Sequence, residues 1–335
     1  MQTNDNALVL AGDIGGTKTN LAVYAMQGGA PSVIVSRNYR NRDHAGIEEI
    51  VGTFIADTER SPRIACFGVA GAIVDGICDM PNLGWHLDEK SLAGSIGMRQ
   101  VKLLNDLEAT AYGITALNPD QLVTLNEGKQ RKSCNMALIA AGTGLGEAIL
   151  FPVATGYSVS ASEGGHADYA PRNHREIELF RHLAKRYGHV SCERVLSGPG
   201  LHNIYSFLQE TDDFQEPAWL VKRLAQGTDA SAVIAEAALK HEADICIAAL
   251  EQFITIYGAE TGNLALKALA TGGIYIGGGI APKILQKFSE GGFMAAFLDK
   301  GRFSGLLADI PVKVIIEPKT ALLGAAVYVF SELDT

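Results

Sequence analysis

Residues 8–24 read LVLAGDIGGTKTNLAVY, the stretch that decides the fold. The apolar runs at 8–10 and 21–24 predict two strands, and the residues between them predict a tight turn. Glycines in the turn let backbone N–H groups come close to an anion. Thr17 adds a hydroxyl donor, and Asp13 offers a carboxylate suited to hydrated Mg²⁺. The stretch therefore predicts a hairpin whose turn binds a phosphate group.

A second turn of the same kind lies within ALIAAGTGLGEAIL at 137–150, where Gly142-Thr143-Gly144 separates two apolar runs. One such turn is usually a simple hairpin, but two indicate a duplicated clamp around a polyphosphate. The sequence has no Walker pattern, G-x-x-x-x-G-K-[ST]. The second turn also fails the dinucleotide pattern G-x-G-x-x-G, because the chain after it continues as a strand. We therefore expect hairpins, and not a helix N-terminus, to hold the phosphates.

The size and charge of the chain limit its fold and partners. With 335 residues, 47% of them hydrophobic, the chain can bury large cores and is expected to form two domains. The net charge of −9 and the lack of a basic block argue against nucleic acid or an acidic membrane as a partner.

The N-terminal sequence and the cysteines favour a cytoplasmic protein. MQTNDN at 1–6 lacks the layout of a signal peptide, and no apolar run is long enough to span a bilayer. The cysteines are scattered and never in C-x-x-C spacing, which argues against disulfides and a structural zinc site. They lie at positions 66, 78, 134, 192 and 246.

Hydrophobic periodicity along the chain predicts an α/β fold. An Ala-rich, proline-free stretch at 230–269 has helical periodicity and predicts a helical insertion in the second half. Strands are predicted at 32–39, 64–70, 102–106, 271–276 and 312–317, and helices at 46–58, 88–97, 107–115, from Pro282 and from Thr320.

Asn105-Asp106 follows a predicted strand and has two interpretations. Asp is common at helix N-caps, so Asp106 alone is best interpreted as the cap of the helix at 107–115. Ligands of α/β sheets, however, bind at the carboxyl ends of strands, where this pair lies. An Asp there could accept the proton of a hydroxyl that attacks a phosphoryl group.

Two further segments carry candidate polar residues. In SEGGHAD at 162–168, two glycines could let Glu163 and His166 converge on one small polar group, but an ordinary surface turn is an equal alternative. In GHVSCERVLSGPG at 188–200, Glu193 is best interpreted as structural, in a helix that Ser191 caps and with Arg194 as its ion-pair partner. The helix after Ser197 is expected to begin at Gly198-Pro199.

Gly277-Gly278-Gly279 lies where a predicted strand changes to a helix. Glycines there could let a flat base or ribose lie against the backbone, and close packing of the helix on the strand is the alternative. The number of such turns in one chain favours the ligand.

Taken together, these segments resemble the bacterial glucokinase family, within the hexokinase, actin and Hsp70 ATPase superfamily. The resemblance covers nearly the whole chain, and SEGGH followed by ERVLSGPG is its most specific part. The motifs are GDIGGT at 12–17, PNLGW at 81–85, LLNDLEA at 103–109, AAGTGLG at 140–146, SEGGHADYAP at 162–171, GHVSCERVLSGPGL at 188–201, IGGGIAPK at 276–283 and DKGRFSGLLADIPV at 299–312.

The resemblance implies a two-domain actin-like ATPase (ribonuclease H-like) fold, with mixed sheets flanked by helices and a helical insertion in the larger domain. It implies a small domain of residues 1–112 plus 318–335, a large domain of 113–317 and an active site between them. It also implies a homodimer. The zinc-binding cysteine cluster of the related ROK sugar kinases is missing, so the resemblance is to the zinc-free branch.

The resemblance also implies a role for each candidate residue. Asp106 matches the catalytic base, and it binds glucose together with Asn105, Glu163, His166 and Glu193. Asp13 is expected to hold Mg²⁺, through water. The ATP-binding positions are Gly12, Asp13, Ile14, Gly15, Gly16, Thr17, Gly142, Thr143, Gly144, Gly277, Gly278 and Gly279.

The predicted function is ATP-dependent phosphorylation of glucose at the 6-hydroxyl, giving glucose 6-phosphate at the start of glycolysis. Glucose and MgATP are the predicted partners. Three alternatives stay open: a kinase for another hexose or an amino sugar, a non-catalytic protein that senses sugar and nucleotide, and a protein-remodelling ATPase. The last offers no reason for the acidic residues and His between 163 and 193.

Overall fold

The computed structural model describes residues 8–154, 156–211, 214–227 and 229–333. The chain forms two compact units. The first contains the residues up to Gln121, Pro152–Ala161 and the residues from Glu317 onward, and the second contains Leu122–Phe151 and Ser162–Ile316. The sequence-based prediction places the borders at 112/113 and 317/318.

Strands make up one main sheet in each unit, plus a small hairpin of β5 and β6. In chain order they are β1 (Val9–Ile14), β2 (Lys18–Gln27), β3 (Ala30–Arg40), β4 (Ile64–Val69), β5 (Ile77–Met80), β6 (Trp85–Asp88), β7 (Gln100–Asn105), β8 (Leu122–Asn126), β9 (Met136–Ala141), β10 (Leu145–Val153), β11 (Gly156–Ser162), β12 (Gly273–Gly277) and β13 (Val312–Ile315).

Helices connect the strands, and in the described part of the chain none is both long and apolar enough to cross a bilayer. In chain order they are α1 (Ile47–Thr58), α2 (Glu89–Ser95), α3 (Asp106–Ile114), α4 (His174–Tyr187), α5 (Gly198–Glu210), α6 (Ala218–Leu224), α7 (Ala230–Leu239), α8 (Asp244–Ala268), α9 (Leu285–Ser289), α10 (Gly292–Leu298), α11 (Ser304–Ala308) and α12 (Thr320–Leu333).

The sheet of the first unit has the strand order β3-β2-β1-β4-β7. β1 and β2 are antiparallel and are joined by the predicted hairpin turn, whereas β1, β4 and β7 run parallel. The carboxyl ends of these parallel strands therefore lie at one edge. In register, Asp13 is level with Gly68, and Val69 is level with Asn105. This edge carries the candidate residues of β1 and β7.

Helices cover both faces of this sheet because side chains alternate along each strand. Leu10 belongs to the buried cluster that includes Phe54 of α1, whereas Val9 belongs to the cluster that includes α12. α3 and α12 cross very closely, since a side chain on Gly324 would collide with the carbonyl of Ala109. This crossing fixes the start of α3, where Asp106 lies.

A six-stranded sheet has the order β11-β10-β9-β12-β13-β8, and all of its strands except β11 lie mainly in the second unit. β9, β12 and β13 are parallel, and β10 and β8 pair antiparallel with their neighbours. Ile139 and Ile274 of the sheet share a buried cluster with Phe253 and Tyr257 of α8. α8 is apolar on most of its surface because it lies within this core.

The predicted helical insertion consists of α4 to α8, between β11 and β12. The Ala-rich stretch at 230–269 is not one helix, because the chain breaks between α7 and α8 with His241 at a φ of 55°. The helix predicted from Pro282 begins instead as a 3₁₀ turn over Ala281–Ile284 and continues as α9. α12 begins at Thr320, as predicted.

Candidate active site

The first glycine turn joins β1 to β2 and leaves its backbone accessible. The N–H of Gly15 donates to the carbonyl of Lys18 over 3.0 Å, which closes the turn. A Cβ on Gly16 would meet none of the described atoms within 4 Å, and Gly16 and Thr17 are exposed. Packing therefore does not require glycine at position 16, whereas the close approach of a phosphate would.

Asn41 supports this turn through hydrogen bonds, and no sequence motif indicates this role. Its side-chain Nδ2 donates to the carbonyl of Gly15 over 2.8 Å, and its backbone N–H donates to the carbonyl of Thr17 over 3.0 Å. Its Oδ1 accepts from the hydroxyl of Thr19 over 2.8 Å, and Asn41 is only 2% exposed. A lone Asn after a strand gives no sequence signal for such a contact.

Two of the predicted ATP-binding positions lie in the core of the first unit. Gly12 lies so close to the ring of Phe67 that any side chain would collide with it, and Ile14 is fully buried. Packing therefore explains both residues, which also lie in β1 between its partner strands β2 and β4.

Asp13 and Asp106 are electrostatic neighbours at the carboxyl edge of the first sheet. Asp13 accepts a hydrogen bond from Asn20 Nδ2 over 3.1 Å, while burial raises the pKa of its carboxyl. Burial is also the main cause that raises the pKa of Asp106, and the negative charge of Asp13 adds to it. A cation beside Asp13 would offset this burial and this repulsion.

The structure assigns the helix cap differently from the sequence analysis. Asn105, not Asp106, is the N-cap of α3, because its Oδ1 accepts from the N–H of Leu107 over 2.9 Å. Its Nδ2 donates to the carbonyl of Gly71 over 3.0 Å. Asp106 is the first residue of the helix, and its Oδ1 accepts from the same N–H of Leu107 over 2.8 Å. The cap interpretation of Asp106 is therefore wrong.

The second glycine turn joins β9 to β10 and lies against the start of α5. The N–H of Gly142 donates to the carbonyl of Gly144 over 2.8 Å, and the N–H of Gly198 donates to the carbonyl of Gly142 over the same distance. Thr143 is exposed at the tip. α5 begins with a Ser197 cap and a proline in its first turn, as predicted. A helix N-terminus thus lies beside this hairpin turn.

The third glycine turn follows β12 and packs on the end of β9. Gly278 has a φ of +85°, and a side chain on it would collide with the backbone of Ala141. The N–H of Ile280 donates to the carbonyl of Ala141 over 3.3 Å. Close packing therefore explains Gly278, whereas a Cβ on Gly279 would meet none of the described atoms within 4 Å.

A cavity of about 570 Å³ in the second unit touches both of its glycine turns. Gly142, Thr143 and Gly279 line it, and most of the rest of its wall is apolar. Its polar lining, which no sequence motif indicates, comes from α5, the start of α7 and the 3₁₀ turn at 281–284. These residues are His202, Asp229, Ser231 and Lys283.

Glu163 and His166 lie close together on either side of Gly164 and Gly165. His166 Nε2 lies 3.8 Å from Glu163 Oε2, and the two side chains are 60% and 88% exposed. The glycines between them face inward, since side chains on Gly164 and Gly165 would collide with Glu147 and with the carbonyl of Leu145. Both polar side chains are thus held outward by a turn packed on β10.

Glu193 is not part of a capped α-helix. It lies in a 3₁₀ turn over Cys192–Arg194, and in the described structure the Ser191 side chain makes no capping hydrogen bond there. The Arg194 guanidinium lies 4.2 Å from the ring centroid of Tyr187. Glu193 Oε2 accepts from the N–H of Leu145 over 3.0 Å, at the second glycine turn. The helix and the Ser191 cap expected from the sequence are therefore wrong, and the carboxylate of Glu193 supports the second glycine turn instead.

A short antiparallel pairing joins the segment of His166 to that of Glu193. Asp168 forms a bridge with Ser191, and the N–H of Cys192 donates to the carbonyl of Ala167 over 2.9 Å. The structure therefore gathers Glu163, His166 and Glu193 at the start of β10 in the second unit. Asp13, Asn105 and Asp106 form the corresponding group in the first unit.

Comparison with known proteins assigns the family. The family model described as Glucokinase matches residues 10–332. The chain belongs to the glucokinase family. A glucokinase from Nostoc sp. strain PCC 7120 is 40% identical over 334 residues, covering 95% of this chain and 98% of that protein. A glucokinase from Synechocystis sp. strain PCC 6803 is 39% identical over 342 residues, covering 95% and 96%.

Solved structures of similar proteins confirm the fold. A glucokinase from an Antarctic psychrotroph is 29% identical and has a TM-score of 0.87, over 97% of this chain and 99% of that one. A ROK family glucokinase from Streptomyces griseus, in complex with glucose and AMPPNP, is 20% identical with a TM-score of 0.61, over 96% and 98%. The predicted actin-like ATPase fold of the glucokinase family is therefore confirmed.

Proposed function

We propose that this chain catalyses the ATP-dependent phosphorylation of glucose at its 6-hydroxyl, giving glucose 6-phosphate and ADP. The main support is Asp106, which lies at a sheet edge beside Asp13, has a raised pKa and is not the N-cap of α3. Membership of the glucokinase family over residues 10–332 supports the same conclusion.

In this proposal Asp106 orients the 6-hydroxyl and takes its proton as the oxygen attacks the γ-phosphorus. A raised pKa suits this role, because a general base is most effective when its pKa approaches the working pH. The new O–P bond forms as the bond from the γ-phosphorus to the bridging oxygen of ADP breaks. Positioned proton transfer contributes about 10²–10⁴-fold to such rates.

Glucose carries no charge, so its selection depends on hydrogen bonds. We propose that Asn105, Glu163, His166 and Glu193 bind its hydroxyls together with Asp106. Carboxylates accept hydrogen bonds from hydroxyls, and the amide and imidazole groups add donors. A sugar that lacks one bonded hydroxyl leaves a polar group unpaired, which costs roughly 1–3 kcal/mol.

We propose that the accessible N–H groups of the turns at 12–17 and 142–144 bind the phosphates of ATP. The apolar cavity beside Gly142 and Gly279 has the size and lining for a nucleoside. The half-buried carboxylate of Asp13, with its raised pKa, fits a Mg²⁺ held through water. Mg²⁺ would neutralise phosphate charge there.

The cytoplasmic location, the homodimer and the place at the start of glycolysis remain predictions from the sequence. Analytical ultracentrifugation of the purified chain tests the homodimer.

A coupled assay of ADP formation tests the proposed function. We expect ADP formation that requires glucose and MgATP together, and equal amounts of glucose 6-phosphate. A higher kcat/KM for mannose, fructose or glucosamine than for glucose identifies a kinase for another sugar. Sugar binding without ADP formation identifies a sensing protein, and ADP formation without sugar identifies a protein-remodelling ATPase.

A further inference from the structure

Glu147 of β10 is a buried carboxyl beneath the turn that carries Glu163 and His166. Its side chain is 2% exposed, and its Oε2 lies so close to Gly164 that any side chain there would collide with it. Its carbonyl accepts from the hydroxyl of Ser162 over 3.0 Å, and that same hydroxyl oxygen accepts from the N–H of Gly164 over 3.2 Å. Glu147 therefore supports this turn with both its backbone and its carboxyl.

The surroundings of Glu147 disfavour its negative charge. Its Oε1 is buried and has no hydrogen-bond partner among the described residues. α8 contributes the buried carboxylate of Glu260, the partly exposed ammonium of Lys267 and the buried hydroxyl of Tyr257, and the 3₁₀ turn at 192–194 contributes the Cys192 thiol. Burial and the charge of Glu260 raise the pKa of Glu147 to about 7, against the opposing effect of Lys267.

Ionisation of Glu147 has a mechanical consequence. A buried carboxylate with an unpaired oxygen is costly, and water relieves that cost. The charge of a carboxylate is shared by both of its oxygens, and Gly164 packs against Oε2, so water can reach that side of the group only if the turn at 163–166 moves outward. That turn holds Glu163 and His166 in place.

We propose that Glu147 is a positioning residue for sugar binding: its neutral carboxyl holds the turn at 163–166 in place, and its ionisation weakens the affinity for glucose. This inference rests on the proposed function, because it assigns that turn to the glucose site. Glu147 itself touches neither substrate in this proposal.

The linkage between proton binding at Glu147 and glucose binding fixes the direction and size of the pH effect on glucose affinity. If bound glucose keeps water from the turn, the pKa of Glu147 is higher in the complex than in the free protein. Glucose binding then takes up a proton from solvent at pH values between the two pKa values. Each unit of difference lowers the apparent glucose affinity about tenfold at high pH.

The test compares the wild type with Glu147→Gln, which keeps the shape of a neutral carboxyl at every pH. Glucose KM and kcat are measured from about pH 6 to about pH 9, the range that spans the titration of a group with a pKa near 7. We expect the glucose KM of the wild type to rise above neutral pH, by about tenfold for a one-unit shift. In Glu147→Gln this rise should be absent, while kcat keeps its wild-type pH profile. Glu178→Gln, an exposed change on α4, is the matched control and should behave as the wild type.

A second variant and a binding measurement keep the test decisive if Glu147→Gln does not fold. Lys267→Met removes the cation that lowers the pKa of Glu147, so the rise in KM should move to higher pH. Titration calorimetry of glucose binding in buffers of different ionisation enthalpy should show proton uptake by the wild type at slightly alkaline pH. An unshifted profile in Lys267→Met, no proton uptake, or an equal KM rise in Glu147→Gln overturns the proposal. Absence of glucose phosphorylation by the wild type, in contrast, overturns the proposed function.

Discussion

The glycine turns at 12–17 and 142–144 have the same topology and different supports. Each lies between antiparallel strands, and in each the first strand also pairs in parallel with another strand of its sheet. The first turn rests on the neutral side chain of Asn41, whereas the second rests on the carboxylate of Glu193 and the start of α5.

Both units therefore use the same kind of backbone turn, and the side chains around each turn determine which ligand it suits. The first turn lies beside a pair of carboxylates, Asp13 and Asp106, which suits a metal ion and proton transfer. The second turn lies beside an apolar cavity and the Glu193 segment, which suits a nucleoside and a sugar.

The largest effect should come from removing the base beside the first turn. Asp106→Asn should lower kcat by about 10²–10⁴-fold, because the amide cannot take the proton of the hydroxyl. Glucose binding, measured by calorimetry, should persist.

In the wild type, activity should fall on acidification as Asp106 takes up a proton. This fall should begin at a higher pH than an ordinary aspartate would give, because the pKa of Asp106 is raised. A nearly normal kcat in Asp106→Asn would remove Asp106 from its proposed role.

Alanine at Gly278 should lower the stability of the fold, whereas alanine at Gly16 should leave stability nearly unchanged and weaken ATP binding. Gly278→Ala introduces a side chain at positive φ against the Ala141 backbone, and strain plus overpacking should lower the free energy of unfolding by about 2–6 kcal/mol. Gly16→Ala meets open space and should change stability by less than about 0.5 kcal/mol.

Gly16→Ala should nevertheless raise the KM for ATP, since its side chain faces the proposed phosphate. Urea denaturation and steady-state kinetics measure the two effects. Equal stability of both variants would contradict the packing explanation of Gly278, and an unchanged ATP KM in Gly16→Ala would separate the first turn from phosphate binding.

Removing the carboxylate support should weaken the second turn. Glu193→Ala leaves the N–H of Leu145 without its partner, at a cost of roughly 1–3 kcal/mol, and should raise the glucose KM. Glu193→Gln keeps an acceptor for that N–H and is the matched variant. If Glu193 only supports the turn, Gln restores the KM, and if its charge also binds glucose, Gln does not.

Removing the neutral support should have the smallest effect. Asn41→Ala leaves the carbonyl of Gly15 and the hydroxyl of Thr19 without a partner, and should lower the free energy of unfolding by about 1–2 kcal/mol. We expect a higher ATP KM and an unchanged glucose affinity. Gln27→Ala, an exposed change at the end of β2, is the control. A raised glucose KM with an unchanged ATP KM would reverse the assignment of the two turns.

Much of the fold was predictable because its signals are local. Apolar periodicity predicted α1, α3, α12 and the strands of both hairpins, since a helix or strand buries one face at a fixed spacing. The cap at Ser197 was predictable for the same reason, because a cap lies next to its helix. The break at His241 was not, since the Ala-rich stretch keeps helical propensity on both sides of it.

The candidate site was predictable in its residue types but not in its contacts. The sequence alone determined the two glycine hairpins, the polar pair after β7 and the spacing of Glu163 and His166. Only the tertiary structure decided that Asn105 reaches the carbonyl of Gly71 and that Glu193 reaches Leu145. It also decided that Asn41 and Glu147 lie beneath turns distant from them in sequence. The physical reason is that strand and helix patterns depend on neighbours along the chain, whereas hydrogen bonds and charge burial depend on which distant segments the packed core brings within about 3 Å.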